Sequence, residues 1–380
     1  MSTLSCNVFL AGFLSDRGKL IAMLHQKTID DLLTIHEIYM EPDVPTYERG
    51  REILAKYPDA KHIEVESHWK IPELFGFEGS VDDWLWNKKN VLILGTKKGL
   101  TCRPNTRSSH WVAPSQSNGC TMSCSYCYVP RRKGYANPIS IFVNIEQIMK
   151  YLRGHAGRQG IKPEADLIDP EYWVYEIGEN GDCSADAAIC DNVKDMINLY
   201  KELPNAKLTF ATKFINREML NYDPQRKTRI RFSLMPHQMS KLVDVRTTPI
   251  SERIAVMNEF KDAGYEVNVS FAPVIYYEGW LDDWYALFEE MNQVLDEQTK
   301  AQLATEIIFL THNDRLHEVN MGWHPKAEEV LWRPEIQQVK YSQTGQKNVR
   351  YKNNIKREIV SELVEAVKTQ LPYCQIRYAF

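Results

Sequence analysis

Residues 119–128 read Gly-Cys-Thr-Met-Ser-Cys-Ser-Tyr-Cys-Tyr, with cysteines at 120, 124 and 127. Thiolates at this Cys-x3-Cys-x2-Cys spacing are soft ligands suited to an iron–sulfur cluster. Three of them leave one iron of a 4Fe-4S cubane open, and an open iron can chelate the amino and carboxylate groups of a methionine. Two other readings of the residues remain. A fourth ligand would complete a zinc site, and positions i, i+4 and i+7 also share one face of a helix, where three cysteines could simply be core. Gly119 after an extended run and Pro130 just beyond the last cysteine favour a loop over a helix.

Outward from this loop, strand-like and helix-like stretches alternate. Upstream, 35–40 reads as a strand, 47–56 as a helix and 62–66 as a strand, a small α/β unit. Residues 67–109 read as an irregular connector. Downstream, 111–114 is extended and a helix spans 144–153. Strands at 173–177, 207–212, 229–234, 266–273 and 304–310 are interleaved with helices near 186–201, 251–263 and 282–295. Six such units predict an α/β fold, a partial (β/α)6 TIM-type barrel with its chemistry at the C-terminal ends of the strands. A hairpin (337–351), a helix (355–369) and a last strand (375–378) follow. The expected division is 1–110, N-terminal α/β region and connector; 111–330, partial barrel; 331–380, C-terminal hairpin, helix and strand.

With 46 basic and 50 acidic residues the formal net charge is −4, so no whole-molecule footprint for nucleic acid exists. Phosphates would need a local patch: Arg131-Arg132-Lys133, the RKTRIR stretch from Arg226 to Arg231, or the tail carrying Lys347, Arg350, Lys352, Lys356 and Arg357. No run approaches 18 apolar residues, so no membrane span is expected. The apolar N-terminal stretch lacks a basic leader and is not read as a signal peptide. A cytoplasmic location, with reduced cysteines, is the expectation.

The loop, with Tyr126 before its third cysteine, resembles the radical S-adenosylmethionine (SAM) motif. The rest resembles the spore photoproduct lyase family, through HEIYMEP (36–42), NGCTMSCSYCY, FVNIEQI, FATKF, KTRIRFSL, PISERIAVMNEFKDAGY, FAPVIYYEGW and the terminal YCQIRYAF. The similarity covers roughly nine-tenths of the chain and leaves out the first 35 residues. It implies a radical SAM barrel, a 4Fe-4S cluster on Cys120, Cys124 and Cys127, and SAM as cofactor. It also implies a lyase that repairs a thymine dinucleotide photoproduct in damaged DNA. An electron donor such as flavodoxin or ferredoxin would be a partner, and a monomer is expected. By the same resemblance Cys183, in Glu179-Asn-Gly-Asp-Cys-Ser-Ala-Asp186, is the thiol that returns a hydrogen atom. Lys213 and Ser233 contact SAM, the backbone of Tyr126 lies against its adenine, and Tyr126 and Tyr128 belong to a radical relay. On residue type alone, Cys183 could be a small buried hydrophobe and Lys213 a solvated strand-end lysine. Cys190 is expected in the core; Cys6, Cys102 and Cys374 carry no motif.

Three positions depart from the family pattern. Ala185 replaces a serine that contacts SAM, and Met235 replaces an asparagine. Gly345-Gln346-Lys347 stands where a hairpin Arg-Tyr pair wedges into DNA, with Arg350 and Tyr351 displaced. Extruding a dinucleotide costs several kcal/mol of stacking and pairing. The changed wedge therefore keeps open a radical SAM enzyme of the same fold acting on a different, possibly non-DNA, substrate. A non-catalytic cluster protein that binds nucleic acid would need neither Cys183 nor Lys213.

Overall fold

The computed structural model describes residues 28–75, 78–130, 134–341, 345 and 347–380. Cys6, most of the extra N-terminal segment, the Arg131-Arg132-Lys133 patch and Gln346 lie outside them. None of the described helices is long and apolar enough to cross a membrane.

Two sheets carry the fold. The smaller has the order β2-β1-β3-β7-β6, from β1 (Glu37–Met40), β2 (Lys61–Glu64), β3 (Val91–Gly95), β6 (Ser117–Asn118) and β7 (Ile139–Phe142); all its pairs are parallel except β6 with β7. The larger is the curled half-barrel. Its order is β16-β12-β11-β10-β9-β8-β5-β4. Six strands come in sequence: β5 (Trp111–Val112), β8 (Trp173–Glu176), β9 (Ala206–Thr212), β10 (Thr228–Leu234), β11 (Glu266–Val274) and β12 (Ala304–Phe309). They pair in parallel as the alternation predicts. A terminal strand, β16 (Gln375–Ala379), adds a seventh parallel neighbour, and β4 (Arg103–Pro104) closes the other edge antiparallel. A third sheet holds β13 (Thr311–His312), β14 (Gln337–Tyr341) and β15 (Lys347–Tyr351). Residues from both sides of position 110 thus share the large sheet, and β7 belongs to the small one.

The connector reading of 67–109 is overturned. A helix, α1 (Val81–Asn90), and the fully buried β3 occupy it. The helix is started by a capping box between Ser80 and Asp83. Val91-Leu-Ile-Leu94 is a central parallel strand, apolar on both faces, so the period-two signal of a half-buried strand is missing. Other boundaries shift modestly. The helix expected over 186–201 is two, α2 (Cys183–Ala187) and Asn192–Glu202, and the one over 251–263 is broken at Val256. Two further helices, α3 (Asp314–Trp323) and α4 (Pro325–Leu331), precede the hairpin.

Strand alternation also corrects the RKTRIR patch. Along β10, Ile230, Phe232 and Leu234 pack in the main apolar core, so Arg229 and Arg231 point the other way, into the barrel. They are 1% and 3% exposed. Arg229 and Lys207 clasp Asp169 at 2.9 and 2.8 Å, and Lys207 and Arg377 reach Glu266 at 2.6 and 3.5 Å. One layer up, Arg231 bridges Glu306 at 2.6 Å and Glu176 at 2.5 Å, and Tyr378 donates to Glu306 at 3.3 Å. Four cations therefore face four carboxylates inside the barrel, and Arg229 and Arg231 offer no surface for phosphate; of this stretch only Arg226 is exposed and Lys227 half-buried.

Candidate active site

The cysteine loop leaves β6 through Gly119, at φ +91°; a Cβ there would fall 2.2 Å from the Pro138 carbonyl, so only glycine fits the turn. The loop is stitched to the barrel. Ser123 N–H donates to Val245 O at 3.1 Å and Ser125 N–H to Val243 O at 3.0 Å. The Asn320 amide of α3 donates to Ser125 O at 2.7 Å, and Arg246 donates to Thr121 Oγ1 at 3.0 Å.

Cys120, Cys124 and Cys127, each half-buried, line one cavity of about 350 Å3 at the C-terminal mouth of the barrel. Lys213, Ser233, Ser270, Ala272 and Ile308 border it at the ends of successive strands. Glu176 and Arg231 border it lower down, with Leu316, Asn320, Trp323 and His324 on the α3 side. A second chamber of about 400 Å3 shares Tyr126, Tyr128, Lys213, Ser233 and Ala272 and runs toward Asn348 of the hairpin sheet.

The cysteine set fits a cluster on an observation independent of spacing. Lys88, on α1, is 2% exposed and lines the same cavity; its Nζ donates to Cys120 O at 2.8 Å. Burial lowers its pKa, and the three cysteine sulfurs, when ionised, pull it back up. Burial likewise pushes Cys120 up to about 12 and Cys124 well above the usual thiol range, with Asp182 and Asp244 adding to it. Buried thiols of this kind keep their protons until a bound metal displaces them. A buried ammonium beside them offsets the resulting negative charge.

Asp244 is a hub that sequence reading missed. Fully buried, it accepts from Tyr126 OH, lies 3.3 Å from Lys213 Nζ, and accepts from Arg253 at 3.1 and 3.2 Å. Burial alone would raise its pKa; Lys213 and Arg253 outweigh that and hold it low. Lys213 Nζ also donates to Ala272 O at 3.3 Å and sits 5.5 Å from the Tyr126 ring. The Ser233 carbonyl accepts from Arg253 at 2.7 Å. Tyr126, Lys213 and Ser233 are thus brought together around one carboxylate, while Tyr128 is exposed and donates to Glu179 O.

Cys183 is near the cavity but not on its wall. It begins α2, is fully buried, and has its Sγ behind Gly178, where a Cβ would lie 2.5 Å from the sulfur. Gly178 does line the cavity, so a residue without a side chain stands between the cavity and the thiol. Gln116 Nε2 donates to Sγ at 3.7 Å and to Asp186 at 3.1 Å. Burial raises the Cys183 pKa well above the usual value, reinforced by Asp186, which keeps the sulfur as S–H. Asp182 caps α2 by accepting from Ser184 N and Ala185 N at 3.1 and 3.2 Å. The same carboxylate accepts from Thr212 Oγ1 and Lys213 N, both at 2.8 Å.

The departures have structural accounts. Ala185 is 1% exposed and packs with Met122 and Phe214 beneath the cysteine loop. Met235 is core. Tyr351 is buried, its OH accepting from Tyr276 N at 2.8 Å, so it is no wedge. Arg107, Arg350 and Lys356 instead gather over the Phe380 ring at 3.6, 5.0 and 4.6 Å. The Lys356 pKa is lowered by burial first and then by Arg350, Lys340 and Arg107, a concentration of positive charge. Cys190 and Cys374 are buried and Cys102 half-buried.

Comparison with known proteins agrees with this geometry. A curated spore photoproduct lyase of Bacillus subtilis is 25% identical over 351 residues, covering 90% of this chain and 97% of the relative. One from a Geobacillus strain is 22% identical over 343 residues, with the same shares covered. Among solved structures, a spore photoproduct lyase double mutant with bound AdoMet and dinucleoside spore photoproduct superposes with a TM-score of 0.83. It is 21% identical and covers 92% of this chain and 100% of its own. A spore photoproduct lyase complexed with dinucleoside spore photoproduct gives 0.81. The family model described as spore photoproduct lyase matches residues 33–380, and the chain belongs to that family.

Proposed function

We propose that this protein is a radical SAM lyase that repairs a thymine dinucleotide photoproduct in DNA. The observation that carries it is one cavity bordered by three thiols, the Lys213–Asp244–Tyr126 cluster and a protonated thiol behind a glycine. Cys120, Cys124 and Cys127 would hold the 4Fe-4S cluster, which when bound supplies the electron for reductive cleavage of SAM. That electron comes from a low-potential donor such as flavodoxin or ferredoxin, in the cytoplasm.

The chain's own residues supply the rest. Lys213 offers its ammonium to the SAM carboxylate, with Asp244 and Ala272 O fixing where Nζ sits. Tyr126 and Ser233 border the space beside it. The deoxyadenosyl radical takes a hydrogen atom from the bridge between the thymines, the bridging bond breaks, and the thymine radical left behind takes one from Cys183 S–H. A thiol suits this return because its S–H bond is weak. Tyr126 and Tyr128 can pass a hydrogen atom back from deoxyadenosine to the thiyl sulfur, closing the cycle. Arg107, Lys340, Arg350 and Lys356 supply local charge for DNA phosphates on an otherwise acidic chain.

Reduced, cluster-loaded protein should convert SAM to deoxyadenosine and methionine and repair a dinucleoside photoproduct, with repair lost on Cys183→Ala. A second reading, the same chemistry on another substrate, is favoured by the buried Tyr351 and by α3 side chains on the cavity wall. SAM cleavage without repair by the wild-type protein would select it.

A further inference from the structure

We propose that His312, His317 and Glu328 form a binding site for a divalent transition-metal ion of the zinc type, separate from the cysteine loop. His312 ends β13, His317 lies on α3 and Glu328 on α4, so the group joins three elements that share no other chemistry. One ligand atom from each lies within 4.8 Å of the others. His312 Nε2 is 3.0 Å from both Glu328 oxygens, and His317 Nδ1 is 2.6 Å from Oε2. The set is preorganised. Trp332 stacks on the His317 ring at 4.3 Å and 8° and meets the His312 ring edge-on at 5.7 Å. Asn320 donates to Glu328 Oε1 at 2.5 Å, as an outer partner that orients a ligating carboxylate.

Charge is the second argument. Hydrogen bonds alone satisfy these facing atoms, but they leave the Glu328 carboxylate uncompensated. It is 3% exposed, and among the described residues no lysine or arginine pairs with it; its ion-pair partners are the two imidazoles. A buried anion without a cation is costly. Two neutral imidazoles and one carboxylate are a donor set that suits zinc, with solvent in a further position. His317, with 24% of its side chain exposed, gives the ion a way in.

The ion would be structural. It would clamp α3 and α4 to the hairpin sheet, and through Asn320, which also holds Ser125 O at 2.7 Å, it would steady the cysteine loop from behind. The test uses the cluster-loaded protein, prepared anaerobically and dialysed against low-micromolar zinc. The expected result is one zinc per chain in the wild type and none in His317→Gln, with iron content equal in both. Zinc X-ray absorption should show a nitrogen and oxygen shell. Zinc should also raise the unfolding midpoint of the wild type by a few degrees and leave the variant unmoved. No zinc in the wild type, equal zinc in both proteins, or sulfur in the zinc shell would each overturn the proposal. The three side chains would then be a hydrogen-bonded triad only. Should His317→Gln lose iron as well, the absorption spectrum of the wild type alone decides.

Discussion

The interior of the barrel and its mouth are built from the same strands by opposite rules. Below, Arg229, Arg231, Lys207 and Arg377 are matched by Asp169, Glu176, Glu266 and Glu306. Above, the wall holds thiols that burial keeps protonated, a lysine from outside the barrel, and a hydroxyl and ammonium around Asp244. The contrast teaches where each layer's free energy goes. The lower layer balances its own charge within the barrel, and the upper one is completed by what binds there.

Substitutions should separate the two. Cys124→Ala should cause the largest loss, abolishing bound iron and SAM cleavage, with the thermal unfolding of the apo-protein barely shifted; equal loss of folding would erase the distinction. Arg231→Met should do the reverse. It strands Glu176 and Glu306 in a buried layer, at a cost of about 3–5 kcal/mol, read as a lowered denaturation midpoint. Gly178→Ala stands between them, since it sets a Cβ against Cys183 Sγ at a residue with φ +75°. Repair should fall about tenfold relative to deoxyadenosine formation, a change of about 1.4 kcal/mol. An unchanged ratio would mean the thiol reaches substrate by another route.

The smallest effect concerns pH. Asp186, buried on α2, is raised by burial to about 7 from 3.8, despite hydrogen bonds from Ser117 and Gln116. The folded state then holds a proton the unfolded chain has lost. Its contribution is fully present below about pH 4 and declines as pH rises toward 7. Asp169 below is shifted the other way: burial would raise it, but Lys207 outweighs that and lowers it. Its contribution is present above the usual carboxylate pKa and is lost as pH falls through the depressed value. Asp186→Asn should therefore flatten stability between pH 4 and 7 and leave the acid limb in place.

The alternation of strands and helices made the barrel legible, and the cysteine spacing located its mouth. What stayed hidden was hidden for physical reasons. Val91-Leu-Ile-Leu94 has no polar face to set its period. Arg229 and Arg231 of RKTRIR look like a surface until β10 is placed with its apolar side outward. Lys88 and Asp244 reach the site from 32 and 118 positions away from their loop partners. One signal for Lys88 was available: Trp84 and Lys88 share a helix face, and Trp84 packs on Tyr135 at 5.0 Å. The seclusion of Cys183 behind Gly178 depends on how the first turn of α2 packs against the loop after β8, which no motif encodes.

Asp182 grips the first turn of the helix bearing the thiol with one carboxylate oxygen and the backbone of Lys213 with the other. The proposed station for returning a hydrogen atom and the proposed seat of the cofactor's tail therefore hang from a single hook. Under the proposed function their spacing is set by the scaffold, and a lesion of the wrong length would not be accommodated by sliding one station toward the other.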